Sequence, residues 1–95
     1  MAFDKKDWDE HGYVVVRDAV PRDLLEPVIR DMEHFRGSRF AEREHWYDPP
    51  VGMINLWDSP ALYATRESPA IHEAFAGIWE TEKLWVTRNR TNFNP

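Results

Sequence analysis

Residues 83–95, KLWVTRNRTNFNP, decide how this chain is read. In an extended backbone, Trp85, Thr87, Asn89, Thr91 and Phe93 fall on one side, and Leu84, Val86, Arg88, Arg90 and Asn92 on the other. β-Branched and aromatic residues alternating in this way predict a strand from about Leu84, with one face in a core. Chain ends usually fray into polar tails, so a strand rich in aromatics and amides looks like the middle of a structure. Arg88, Arg90 and Asn92 share one face. An Arg fork and an amide converging there suit a small anion, and exposed strand edges carry the same residues for solubility.

Working back from this strand, Ser68-Pro69 fits a helix cap followed by Pro in the first turn. Ala70, Ile71, Ala74, Phe75, Ile78 and Trp79 then form an apolar stripe. Ser59-Pro60 repeats the capping pattern. Residues 38–58 show no sustained period and contain Pro49-Pro50 and Gly52, which predicts a long connection with little regular structure. Before it, Leu24, Leu25, Val28, Ile29, Met32 and Phe35 mark a helix opened by Pro21 and closed by Gly37. Pro27 predicts a kink or a late start in that helix. Tyr13-Val14-Val15-Val16-Arg17 reads as a strand covered on both faces. Asp4 to His11 reads as a short helix capped by Asp4, with Trp8 inward and Gly12 as its stop.

The 95 residues suffice for one domain, expected to be α+β and to occupy 1–95. Apolar residues make up 42% and charged residues 31%, a globular rather than disordered balance, and five Trp add core volume. A net charge of −5 argues against nucleic acid as a partner, although Lys83, Arg88 and Arg90 have no acidic neighbour in the last stretch. No segment is apolar enough to be a signal core or membrane anchor, so a cytoplasmic location is expected. With no Cys there is neither disulfide nor thiolate chemistry.

Metal and nucleophile patterns are sparse. Asp31/His34 and Glu42/His45 are carboxylate–imidazole pairs three residues apart, but a metal needs three or four converging ligands, and solvated polar faces account for them. His11 beside Gly12 suits a helix C-terminus, and His72 a helix surface. Ser38, Ser59 and Ser68 lack a nucleophile elbow, and the four glycines form no phosphate loop. No catalytic or metal residue is therefore assigned. Core packing explains the Trp and Tyr residues at 46, 47, 57, 63, 79 and 85 better than a pocket does.

The order of these segments carries a resemblance. Trp8-x-x-x-Gly12-Tyr13-Val14-Val15-Val16-Arg17, the helix after Pro21, the helix from Ser68-Pro69 to Trp79, and Leu84-Trp85-Val86-Thr87 leading to Asn92-x-x-Pro95 resemble the N-terminal part of the phytanoyl-CoA dioxygenase family. The likeness spans nearly all of this chain but about the first third of a full member. It implies the helical cover and first strands of a double-stranded β-helix (jelly-roll) oxygenase, an incomplete domain ending before the catalytic core.

Members of that family use Fe(II) and 2-oxoglutarate to hydroxylate small molecules. Their iron is held by His-x-Asp and a distant His. No His-x-Asp occurs here, since the four histidines are followed at the second position by Tyr13, Arg36, Tyr47 and Ala74. The resemblance places the iron motif, and the Arg that pairs with 2-oxoglutarate, beyond the segment matching Arg88 to Pro95. In some relatives an Asn in a pattern like Arg90-x-Asn92-x-x-Pro95 touches 2-oxoglutarate. Asn92 is thus the implied cosubstrate contact, with Arg88 beside it, and Trp57 and Trp85 are candidates for the cavity border. The chain alone is expected to be inactive and to bind neither cofactor. An open edge along 84–91 predicts self-association by strand pairing. The competing reading is a small acidic α+β interaction module using 38–58 as its surface. A third, metal storage through the carboxylate–His pairs, would depend on His34 and His45.

Overall fold

A computed structural model describes residues 4–56, 58–87 and 90–95. In chain order these form α1 (Lys5–His11), α2 (Arg22–Arg36), a single 3-10 turn (Arg43–His45), β1 (Gly52–Ile54), α3 (Pro60–Arg66), α4 (Pro69–Trp79) and β2 (Thr91–Phe93). The architecture is α+β, with four helices and a small two-stranded antiparallel sheet. Among the described residues no helix is long and apolar enough to cross a membrane.

The helices start and stop where local chemistry directs. Asp4 caps α1 by accepting from Lys6 N at 2.9 Å, and Gly12 ends it in the left-handed region at φ 75°. Gly37 closes α2 in the same way, its N–H reaching Glu33 O at 2.9 Å. The helix does not start late: it begins at Arg22 and carries Pro27 in its interior. At α3, Ser59 Oγ accepts from Leu62 N. Ser68 departs from the expected cap. Its hydroxyl donates to Ala19 O at 3.2 Å, tying the start of α4 to the segment before α2 instead of to its own first turn.

Strands follow the sequence less closely. Residues 13–17 form no strand: they have no ladder partner among the described residues, and Val15 is exposed between half-buried Val14 and Val16. Residues 84–87 are also irregular, and the paired segment is Thr91–Phe93. Its partner comes from within the expected connection. β1 and β2 pair with Gly52 opposite Phe93, Met53 opposite Asn92 and Ile54 opposite Thr91. Thr91 Oγ1 also donates to Ile54 O at 2.8 Å. The alternation predicted for the last segment holds at 91–93, where Thr91 and Phe93 turn inward and Asn92 outward. It is reversed at 84–85, where Leu84 is half-buried and Trp85 exposed.

The core is small. Ile54 is fully covered, Met32 and Leu62 are buried where α2 packs on α3, and Ser59 Oγ donates to Asp31 Oδ2 at 2.6 Å across that contact. α1 touches α4, with Lys5 bonded to Glu80. This pairing holds the Lys5 ammonium above and the Glu80 carboxyl below their usual ranges. The chain is extended, 43 × 26 × 22 Å with a radius of gyration of 15.6 Å, against about 12.4 Å for a compact domain of this length. Its accessible surface is 7353 Å², whereas a folded monomer of this mass exposes roughly 5,700 Å².

Candidate functional site

The most elaborated polar centre was not singled out by the sequence. Arg36, in the last turn of α2 and four residues after buried Met32, is itself 8% exposed. Its Nε donates to Pro50 O at 2.9 Å and its Nη1 to Ser38 Oγ at 3.1 Å. Its Nη2 lies within 3.0–3.2 Å of the carbonyls of His45, Trp46 and Asp48. The guanidinium also sits 4.2 Å over the Phe93 ring, on which Phe40 stacks at 4.8 Å. No carboxylate takes part in these bonds; carbonyl dipoles and an aromatic face solvate the buried cation. The available sequence signal was an Arg continuing the α2 apolar stripe immediately before a helix-ending Gly.

That centre fixes the 45–50 loop and, through Phe93, the strand bearing Asn92. Phe40 N donates to Glu33 Oε2 at 2.8 Å and Trp46 Nε1 to Phe40 O at 2.7 Å, so α2, the loop and β2 form one unit. Asn92 lies on the outer, solvent-facing side of the sheet opposite Met53. A side chain added at Gly52 would meet Asn92 Oδ1 at 3.9 Å, an ordinary contact, so the φ of 79° there is what calls for glycine. Arg90 is exposed two residues before Asn92. Arg88 and Trp57 lie outside the described residues. Trp85 lines a groove with α4 rather than a cavity at Asn92.

The carboxylate–histidine pairs fare differently. Asp31 accepts from Ser59 and His34 is exposed. Glu42 and His45 do come together with Glu44, their ligand atoms within 4.8 Å, on a 3-10 turn rather than an α-helix. Two of the three have protein partners: Glu42 Oε1 accepts from Arg39 N at 2.9 Å, and His45 Nδ1 lies 2.6 Å from Asp48 Oδ2. The bond to Asp48, helped by the charges of Asp48, Glu44 and Glu42, raises the His45 pKa above its usual value against a smaller desolvation effect. His72 Nε2 meets Glu82 O at 3.2 Å, and the His11 ring lies 6.2 Å from that of Tyr13.

These residues do not fit an iron centre of the two-histidine, one-carboxylate kind. The described cluster has one histidine, is open to solvent, and has its Nδ1 occupied. For a dicarboxylate, the Arg90–Asn92 face provides one cation and one amide on an open surface. That is a contact, not an enclosing site. Comparisons with family models, curated proteins and solved structures gave no match to this chain.

Proposed function

We propose that this chain is the N-terminal cover of a domain of the Fe(II)- and 2-oxoglutarate-dependent oxygenase type, which hydroxylates a small molecule. On this reading the segment contributes helices, a first strand pair and one cosubstrate contact, while the iron ligands belong to residues outside this sequence. The reading rests first on the ordered resemblance described above. The structural observation that carries it is the location of Arg90-x-Asn92-x-x-Pro95: its Asn92 is presented to solvent from a strand anchored by the Arg36 centre. An amide intended for a small anion requires such a rigid base.

The encoding DNA beyond the Pro95 codon provides the test. A frame, even an interrupted one, reaching His-x-Asp within a few dozen codons is the expected result, and unrelated sequence there overturns the reading. The purified chain alone is expected to form no succinate from 2-oxoglutarate and iron. Iron-dependent succinate formation would reveal a ligand set in these 95 residues and refute the division of labour proposed here.

A second reading, an interaction module without catalysis, is favoured by one observation. Phe75, Trp79, Trp85 and Val86 stand exposed together on α4 and the segment after it, and Tyr47, Val51 and Met53 are exposed within 38–58.

A further inference from the structure

The α4 stripe is only half used. Ile71, Ala74 and Ile78 are half-buried, while Phe75 and Trp79 are exposed by 53% and 66%. Beside them Val86 is 64% and Trp85 97% exposed. Between α4 and residues 84–87 runs a groove of about 410 Å³, its walls formed by Ile71, Phe75, Trp79 and Leu84. Trp85 lies at its edge, almost wholly in water. One continuous face therefore carries both an aromatic projection and an apolar depression.

We propose that this face is a two-fold interface between two copies of the chain, the Trp85 of each copy entering the groove of the other. Three observations favour a second copy as the occupant. First, projection and depression lie on the same patch, and an isologous contact requires only that a surface complement itself. Second, the area is sufficient. Trp85, Trp79 and Phe75, exposed by 97%, 66% and 53%, offer roughly 500 Å² of aromatic surface per copy, so two copies bury about 1,000 Å², the lower bound for a specific interface. Third, exposed Glu82 and Lys83 stand beside the patch, so a two-fold contact can set Glu82 of one copy against Lys83 of the other although each chain carries −5. The contact is made by side chains: 84–87 is not a strand, and Thr87 O already accepts from Arg66 Nη1. At 84–87 the proposed contact is thus aromatic burial and not strand pairing. This inference does not depend on the oxygenase reading.

Sedimentation velocity of the 95-residue chain, from low to high micromolar concentration, tests the proposal. The expected species has twice the 11.3 kDa chain mass. Trp85→Glu is expected to weaken association by roughly 30-fold or more, the scale of a central Trp anchor, with the far-ultraviolet circular dichroism unchanged because the residue has almost no contacts to lose. Phe75→Glu is a second, independent disruption, and Met53→Lys on the exposed sheet face is expected to leave the dimer intact. A monomer at every concentration overturns the proposal, as does a dimer indifferent to Trp85→Glu. Dissociation by Met53→Lys alone would place the contact on the sheet, and open-ended aggregation would mark a face belonging to the inside of a larger barrel. Either result also overturns it.

Discussion

Arg36 concentrates on one side chain what the 45–50 loop requires from its surroundings. Arg36→Ala removes the guanidinium donor from the carbonyls of Trp46, Asp48 and Pro50, leaves His45 O only its bond from Asp48 N, and removes the cation over Phe93. A loss of about 2–4 kcal/mol is expected, read as a lower urea midpoint. Arg36→Lys is expected to recover only part of it, since a point charge cannot reproduce a planar fork. An unchanged midpoint in Arg36→Ala would show that water replaces the guanidinium at no cost. His45 gives a pH test on the same loop. Its folded pKa is raised by Asp48, so its bond contributes stability that is complete below the unfolded value near 6.5 and is lost as pH rises through the folded value. NMR titration is expected to place His45 above that reference and to bring it back in Asp48→Asn. Asn92 is tested by titrating 2-oxoglutarate into labelled chain. Because a single contact on an open face does not retain the cosubstrate, only small, non-saturating shifts are expected at residues flanking Asn92 in β2 and at Met53, and they are expected to vanish in Asn92→Ala. Shifts that persist in the variant would reassign the contact. Of these three residues the sequence singled out Asn92, through a motif, and His45, through its spacing from Glu42. Arg36 was not singled out, because its role depends on carbonyls nine to fourteen positions away.

The elements divide by the range of the interactions that define them. Helices were legible because their signals are local: Asp4 and Ser59 cap within three residues, Gly12 and Gly37 stop the chain by φ, and the stripes repeat every three or four positions. Strands depend on a distant partner. Three consecutive valines at 14–16 have high β-propensity yet remain outside any ladder among the described residues, whereas Gly52–Ile54, lodged in an apparently irregular segment, pairs with residues about forty positions away. Pro27 shows the reverse override, since packing of α2 against α3 sustains a helix that propensity alone would interrupt. That packing has a polar pin. Ser59 both caps α3 and donates to Asp31 at 2.6 Å, so Ser59→Ala is expected to cost about 1–2 kcal/mol. Asp31→Asn keeps an acceptor there and is expected to cost less. Equal losses in thermal unfolding would instead assign the effect to the carboxylate charge.

At the scale of the molecule, an extended chain with few fully buried side chains has little stability to draw on from within. If the α4 and Trp85 face is closed by a second copy, folding and association share one free energy, and mass action makes the melting temperature depend on chain concentration. Each tenfold increase then adds about 1.4 kcal/mol per dimer, half of it to each chain, which for a domain of this length corresponds to roughly 3–5 °C. Trp85→Glu removes the coupling, so its melting temperature is expected to be lower than that of the parent chain at high concentration and independent of dilution. This comparison separates two origins of the exposed aromatics. A parent chain whose melting temperature is flat across the same range has all its stability within one copy, and Trp85 contributes nothing by being covered. A slope that disappears in Trp85→Glu shows that the surface left open by α4 belongs to the folded state of the pair.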